Sequence, residues 1–173
     1  MKNEKKQHRI ILLVLSLTIL LTLIFIFGNS MASPKSSGAV SQRVNEIIEA
    51  AVETITGKEN TSLEKFLVAY SRKIAHVVEF AMLGIQIMLW LHFARLRSGA
   101  HLLSGALLGF FVAAIDEGIQ IFSGRGDLVS DIWIDVSGYI TAYGLGMLIL
   151  YLFSWRKRKE HTNHKKRKDA EES

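Results

Sequence analysis

The chain contains no cysteine and a single proline. Without thiols it has no disulfide, no thiolate metal site and no cysteine nucleophile. Long apolar runs occupy most of its 173 residues, and the mean hydropathy is +0.24. Little sequence is left for a separate soluble domain, so the composition indicates a small membrane-embedded bundle rather than a globular enzyme on an anchor.

Apolar runs of about 18 or more residues are typical of transmembrane helices. The sequence has four such runs, at residues 10–27, 74–94, 101–122 and 132–153. We therefore predict an all-α membrane protein with four transmembrane helices. Residues 10–153 form the predicted membrane domain, between a basic N-terminus (1–9) and a basic tail (154–173).

Basic residues near the span ends predict the orientation, because short cytoplasmic segments carry an excess of Lys and Arg. These residues precede the first span, occupy the loop between the second and third spans, and follow the fourth: Lys2, Lys5, Lys6, Arg9, Arg95, Arg97 and 156–159. Both termini are therefore predicted to be cytoplasmic. Residues 28–73 and the short loop SGRGDLVSD would lie on the outer side.

The first span has a second interpretation as a secretory signal peptide, with Ser30, Met31 and Ala32 as a small-x-small cleavage site. Signal-peptide cores are about 7 to 15 residues long, whereas residues 10–27 form an unbroken apolar run. This length favours an uncleaved anchor. Cleavage would leave three spans and an outside N-terminus.

The segment between the first two spans contains an amphipathic helix. Its apolar residues recur at helical spacing from Val40 to Ile55, and Gly57 would end it. Thr61 and Glu64 resemble a capping box that starts a second helix leading into the second span. We expect an extracytoplasmic helical lid packed on the bundle, although the first helix would also suit a membrane surface or a partner.

Ionisable side chains lie inside these apolar spans, where each costs about 2.5 to 3.5 kcal/mol and is by default a functional-site hypothesis. They occupy the outer ends of three spans: His76, Glu79, Asp116, Glu117, Asp131 and Asp135, together with Gln120. At about 1.5 Å rise per residue, all are predicted to lie within about 10 Å of the outer boundary. We therefore expect three helices to present polar faces at one depth.

Small residues recur at spacing four in the third and fourth spans and predict close helix packing. The stripes are Gly105, Gly109 and Ala113, and Gly138, Ala142 and Gly146. Glu117 continues the first stripe, so its side chain is expected to face other helices. The stripes suit packing within one chain and would also suit a homodimer.

Two blocks, RKIAHVVEFAMLG and DEGIQIFSGRGDLVSDIWIDVSG, follow an Asn-Ser pair at the outer end of the first span. Together they resemble the VanZ-like family of bacterial membrane proteins over most of the chain. The family's polar positions match Lys73, His76, Glu79, Asp116, Glu117, Gln120, Arg125, Asp131 and Gly138. Asp135 stands where the family often has Asn, and GNSMAS replaces its FS-rich block.

The resemblance implies a bacterial cell-membrane location and an effect on the envelope or on susceptibility to glycopeptides of the teicoplanin type. It does not imply a reaction, so whether the protein is an enzyme stays open. A pocket that binds a lipid-linked cell-wall precursor would account for an outward site without a catalytic motif. Ion or proton transfer is disfavoured because the inner halves of the spans lack a polar relay.

The cluster carries more acid than base: Glu79, Asp116, Glu117, Asp127, Asp131 and Asp135 against Arg72, Lys73 and Arg125. Protons or a cation must balance such an excess in a low dielectric. One hypothesis is a structural lattice in which Arg125 and Lys73 clamp helix ends. Another is a divalent metal on His76 and Glu79 with Asp116 or Glu117, a nitrogen and oxygen set that suits zinc or manganese.

The same four residues, His76, Glu79, Asp116 and Glu117, are candidates for metal-free acid–base catalysis on a lipid-linked substrate. No cofactor other than a divalent metal is indicated. Nucleic acid is not an expected partner, because most of the 21 Lys and Arg residues lie where topology requires them. The basic clusters of the tail would suit anionic lipids.

Overall fold

The computed structural model describes residues 2–32, 34–57, 62–96, 98–124 and 129–171. These ranges form five helices and contain no strand, which confirms the all-α prediction. In chain order the helices are α1 (Lys2–Met31), α2 (Pro34–Thr56), α3 (Ser62–Phe93), α4 (Gly99–Phe122) and α5 (Val129–Glu171).

Among the described residues, four helices are long and apolar enough to cross a membrane. The qualifying segments are Lys5–Met31, Ser62–Phe93, Gly99–Phe122 and Ser130–Arg156. Each corresponds to one predicted span; only Ala94, in the turn after α3, falls outside its helix. The predicted four-span membrane fold is confirmed.

The amphipathic helix predicted between the first two spans is α2, which packs against α3. It ends at Thr56, and Gly57 follows with φ +64°, a left-handed conformation that glycine adopts readily. Its buried Val52 and the hydrogen bond from Arg72 Nε to Ser41 Oγ (2.9 Å) hold it on α3. The predicted cap residue Thr61 lies outside the described residues.

Helix α3 runs without interruption through the second span. Its 32 residues correspond to about 48 Å at about 1.5 Å per residue, longer than the hydrocarbon core of about 30 Å. Helix α3 is therefore long enough to extend beyond the apolar layer, and α2 packs against it near Arg72.

The backbones of α3 and α5 touch at two glycines. A Cβ on Gly84 would meet the carbonyl oxygen of Tyr139 at 2.5 Å, and one on Gly138 would meet that of Val77 at 2.6 Å. A Cβ on Gly109 of α4 would overlap the Tyr139 ring. These contacts confirm that both small-residue stripes pack against neighbouring helices of the same chain.

Two tyrosines tie α5 to α4. Tyr139 Oη donates to the carbonyl oxygen of Gly105 (2.6 Å), and Tyr143 Oη donates to that of Leu102 (3.0 Å). Both rings are buried and stack on each other. Because an unsatisfied hydroxyl is costly in an apolar environment, these hydrogen bonds fix the register of α4 against α5.

Polar side chains also connect α1 to α3 along its length. Gln86 Nε2 donates to Thr22 Oγ1, and Trp90 Nε1 donates to Ser16 Oγ, both at 3.0 Å. Most of α1 otherwise exposes leucine and isoleucine, as expected for a lipid-facing surface. The first span is thus a packed member of the bundle.

Helix α5 continues past the fourth span through the basic residues of the tail to Glu171. Lys159 Nζ lies 5.2 Å from the centroid of the Trp155 ring, one turn earlier. The fourth span and the segment predicted as a tail therefore form one long helix.

Candidate functional site

Four transmembrane helices bring polar side chains to one end of the bundle, which we call the polar end. It comprises the last turn of α1, the last turns of α4, the first turns of α5 and the part of α3 around His76 and Glu79. The buried polar residues described there are Ser30, Glu79, Asp116, Glu117, Gln120 and Asp135.

Asp116 lies at the centre of this end and is completely buried. Its Oδ1 accepts a hydrogen bond from Ser30 Oγ of α1 at 2.5 Å. Its Oδ2 accepts from Gln120 Nε2, one turn further along α4, at 2.8 Å. Side chains four residues apart share a helix face, so the spacing of Asp116 and Gln120 in the sequence produces this pair directly.

His76 of α3 faces two carboxylates from different helices. Its Nδ1 lies 3.8 Å from Asp116 Oδ2 and 3.6 Å from Asp135 Oδ1. Asp135 is 2% exposed. The close contact between Gly138 and Val77 explains the juxtaposition, because Val77 follows His76 directly and Gly138 lies one turn after Asp135.

Glu79, one turn after His76 on α3, is buried beside the end of α1. Its Oε1 accepts a hydrogen bond from Asn29 Nδ2 at 3.1 Å. Glu117 is buried on α4 and continues the stripe of Gly105, Gly109 and Ala113, as expected. The side chains of Glu79, Asp116, Glu117 and Asp135 are therefore buried, whereas Asp131 is partly exposed.

A pocket of about 150 Å³ opens beside these groups. Its lining residues are Arg72, Lys73, His76, Gln120, Asp131, Ile134 and Asp135. At its rim Lys73 Nζ forms an ion pair with Asp131 Oδ1 at 3.1 Å, and both side chains are partly exposed. The pocket thus has the basic side chains of Arg72 and Lys73 at its rim and the buried carboxyl group of Asp135 beneath them.

Among the described residues, one pair of the predicted ion-pair lattice can be identified. Lys73 pairs with Asp131, whereas Arg125 and Asp127 lie outside the described residues. The buried carboxylates Asp116 and Glu79 instead accept hydrogen bonds from neutral side chains.

Sequence reasoning missed two contributors, Asn29 and Ser30, which it did not include among the site residues. Asn29 donates a hydrogen bond to Glu79, and Ser30 donates one to Asp116. The Asn-Ser pair at the outer end of the first span was the available signal, because it lies at the depth predicted for the cluster.

The candidate metal ligands that the structure brings together differ in part from those predicted from the sequence. Ligand atoms of His76, Asp116 and Asp135 all lie within 4.8 Å of one another. The sequence had suggested Glu79 and Glu117 as partners of His76 and Asp116. Asp135 belonged to the predicted ionisable cluster but not to the predicted metal ligands. It lies beside His76 because α5 approaches α3 closely at Gly84 and Gly138.

The VanZ/LLP1 family model matches residues 11–155, which include most of the first span, nearly all of the other three and every residue of the polar end named above. Neither the curated proteins nor the solved structures include a significant match. The family match covers most of the chain and agrees with the resemblance carried by the His76 and Asp116 blocks. The chain is therefore a multi-pass membrane protein that belongs to the VanZ/LLP1 family.

Proposed function

We propose that the protein binds an envelope ligand in the pocket at its polar end and thereby alters envelope properties or glycopeptide susceptibility of the teicoplanin type. The observation that supports this most directly is the convergence of His76, Asp116 and Asp135 from three helices beside an open pocket. Buried ionisable groups at membrane depth are costly and commonly mark ligand pathways or sites.

Charge distribution supports an outward direction for the pocket. Arg95 follows α3 and Arg156 lies near the other end of the α5 span, both distant along their helices from His76 and Asp135. The positive-inside bias assigns those basic ends to the cytoplasm. Both termini are then cytoplasmic, and the polar end opens at the outer face of the bacterial cell membrane.

The charges of the pocket suit a ligand that carries both signs. Lys73 and Arg72 lie among its lining residues, and Asp135 lies buried in the same lining. An anionic group would be favoured near the bases, and an ammonium group near the acids. A lipid-linked cell-wall precursor, with phosphate on its lipid side and an amine-bearing peptide stem, combines these features.

One observation supports an enzyme as the second candidate. His76 lies beside Asp116 and Asp135, and a carboxylate next to an imidazole can orient it as a general base. In that case His76 takes a proton from water as the water oxygen attacks a phosphate ester of a lipid-linked substrate. The ester bond to the leaving oxygen breaks, and the imidazolium returns the proton to that oxygen.

The test is to express wild type, Asp116→Asn and the control Glu49→Gln in a glycopeptide-sensitive bacterium. Glu49 is an exposed carboxylate on α2, remote in sequence from the pocket residues. We expect wild type and Glu49→Gln to change teicoplanin binding to cells, and Asp116→Asn to abolish the change.

Analysis of lipid-linked precursors in the same strains separates the two candidates. Altered precursor chemistry that depends on Asp116 identifies an enzyme, whereas unchanged precursors with altered antibiotic binding identify a binding protein. Equal behaviour of Asp116→Asn and wild type would contradict both.

A further inference from the structure

We propose that His76, Asp116 and Asp135 bind a divalent cation, preferentially zinc, at the floor of the pocket. The inference deepens the proposed function and relies on the same pocket. It names a ligand set that combines one imidazole with two carboxylates from α3, α4 and α5. Zinc accepts this mixture of nitrogen and oxygen donors.

The separations of the donor atoms support a cation between them. His76 Nδ1 lies 3.6 Å from Asp135 Oδ1 and 3.8 Å from Asp116 Oδ2, which is longer than a hydrogen bond. Donors arranged tetrahedrally around zinc at about 2.1 Å are about 3.4 Å apart. Shifts of a few tenths of an ångström would therefore bring these atoms to coordination distance.

The local charge also favours a cation. Asp116 and Asp135 are almost fully buried, and two ionised carboxylates at this depth need compensation. The described bases nearest in sequence to His76 are engaged elsewhere, since Lys73 pairs with Asp131 and Arg72 bonds to Ser41. A divalent ion would neutralise the two acids with His76 neutral.

Hydrogen bonds around Asp116 resemble the outer shell of a metal site. Ser30 donates to Oδ1 and Gln120 donates to Oδ2, so the carboxylate is held in one orientation. Such outer-shell donors fix ligands before the metal binds, and their loss typically lowers metal affinity about 10- to 100-fold. Residues of α1, α3, α4 and α5 thus contribute to one preorganised arrangement of the candidate ligands.

The ion would keep one coordination position accessible. His76 and Asp135 line the pocket as well as facing each other, so three protein donors would leave a fourth position open toward it. An open position is characteristic of zinc sites that bind a substrate or water. A phosphate or carboxylate oxygen of the proposed ligand would occupy it, and with the ion bound Asp116 and Asp135 would hold the metal and not the ammonium group of the ligand.

The experiment measures zinc and manganese binding to full-length protein in detergent after tag removal and dialysis against a chelator. Titration calorimetry with ZnCl2 and with MnCl2, together with melting curves, is performed on wild type, Asp135→Asn, His76→Gln, Ser30→Ala and the control Glu49→Gln. Glu49 is an exposed carboxylate of α2 that does not line the pocket.

We expect one zinc ion per wild-type chain, weaker manganese binding and a higher melting temperature with zinc. Glu49→Gln should match wild type. Asp135→Asn and His76→Gln should lose zinc binding while remaining folded, and Ser30→Ala should bind about 10-fold or more weakly. The proposal would be overturned if wild type bound zinc with the same affinity as both ligand variants. It would also be overturned if folded wild type showed no saturable zinc binding.

The outcome is separable from that of the proposed function. Zinc binding without any effect of Asp116→Asn on cells would retain the metal site and reject the envelope role. A cellular effect with no metal bound to folded wild type would retain the pocket and reject the metal.

Discussion

The hydrogen bond between Ser30 and Asp116 provides the sharpest stability test, because it joins α1 to α4 inside the bundle. Ser30→Ala removes a donor that lies 2.5 Å from Asp116 Oδ1, with both residues fully buried. A hydrogen bond to a charged group contributes about 1.5 to 3 kcal/mol. We expect Ser30→Ala to lower the free energy of unfolding in detergent by about this amount.

The matched control is Ser137→Ala. Ser137 is also a serine of a membrane helix, but it is exposed and its hydroxyl donates to the carbonyl oxygen of Ile134 on the same helix at 2.7 Å. Its replacement should change the free energy of unfolding by less than about 0.5 kcal/mol.

Unfolding in mixed detergent, followed by circular dichroism, compares the two variants with wild type. If Ser30→Ala unfolds with the same free energy as Ser137→Ala, α1 does not contribute to the polar end, and the assignment of Ser30 to the site is refuted.

Three further predictions concern topology, helix packing and the first span. A reporter fused after Ser173 should be cytoplasmic and one inserted near Gly57 should be outside; external exposure of the C-terminal reporter would reverse the proposed orientation. Gly138→Ala should lower the melting temperature because its Cβ would meet the Val77 carbonyl at 2.6 Å, whereas Gly144→Ala, with nothing within 4 Å, should leave it unchanged or slightly raised; equal melting would contradict the α3–α5 contact. Mass spectrometry of the membrane protein should find residues 2–32 retained, and a product beginning after Ala32 would show that the first span is cleaved.

Hydropathy predicted the architecture because the bilayer imposes simple rules on sequence. A spanning helix must be long and apolar, so the spans could be located to within a few residues at most ends. The glycine at position 57 correctly predicted the end of α2, and in the structure it adopts φ +64° there. The continuation of α5 to Glu171 was not predicted. A run of basic residues is found both in exposed helices and in irregular solvated segments, so composition does not distinguish them.

The depth of the polar residues could also be predicted, since rise along a helix is fixed. Their pairing could not. His76 faces Asp135 because two glycines allow α3 and α5 to touch, and the rotation of each helix at that contact depends on side-chain packing across the interface. The same limitation hid Ser30, whose hydroxyl reaches Asp116 only when α1 packs beside α4.

The central claim is that the buried carboxylates form a ligand site and do not merely clamp helices. Asp116→Asn and Glu117→Gln preserve side-chain size while removing charge. For a ligand site we expect near-normal membrane abundance and melting temperature with loss of the glycopeptide or precursor phenotype.

A structural clamp predicts a different result, because breaking a buried ion pair typically costs about 3 to 5 kcal/mol. The decisive measurement is the phenotype of Asp116→Asn cells per amount of folded protein, determined with a detergent melting curve of the same sample. The account predicts a normal melting temperature with the phenotype lost; a melting temperature several degrees lower, with a phenotype that merely follows the amount of folded protein, would contradict it.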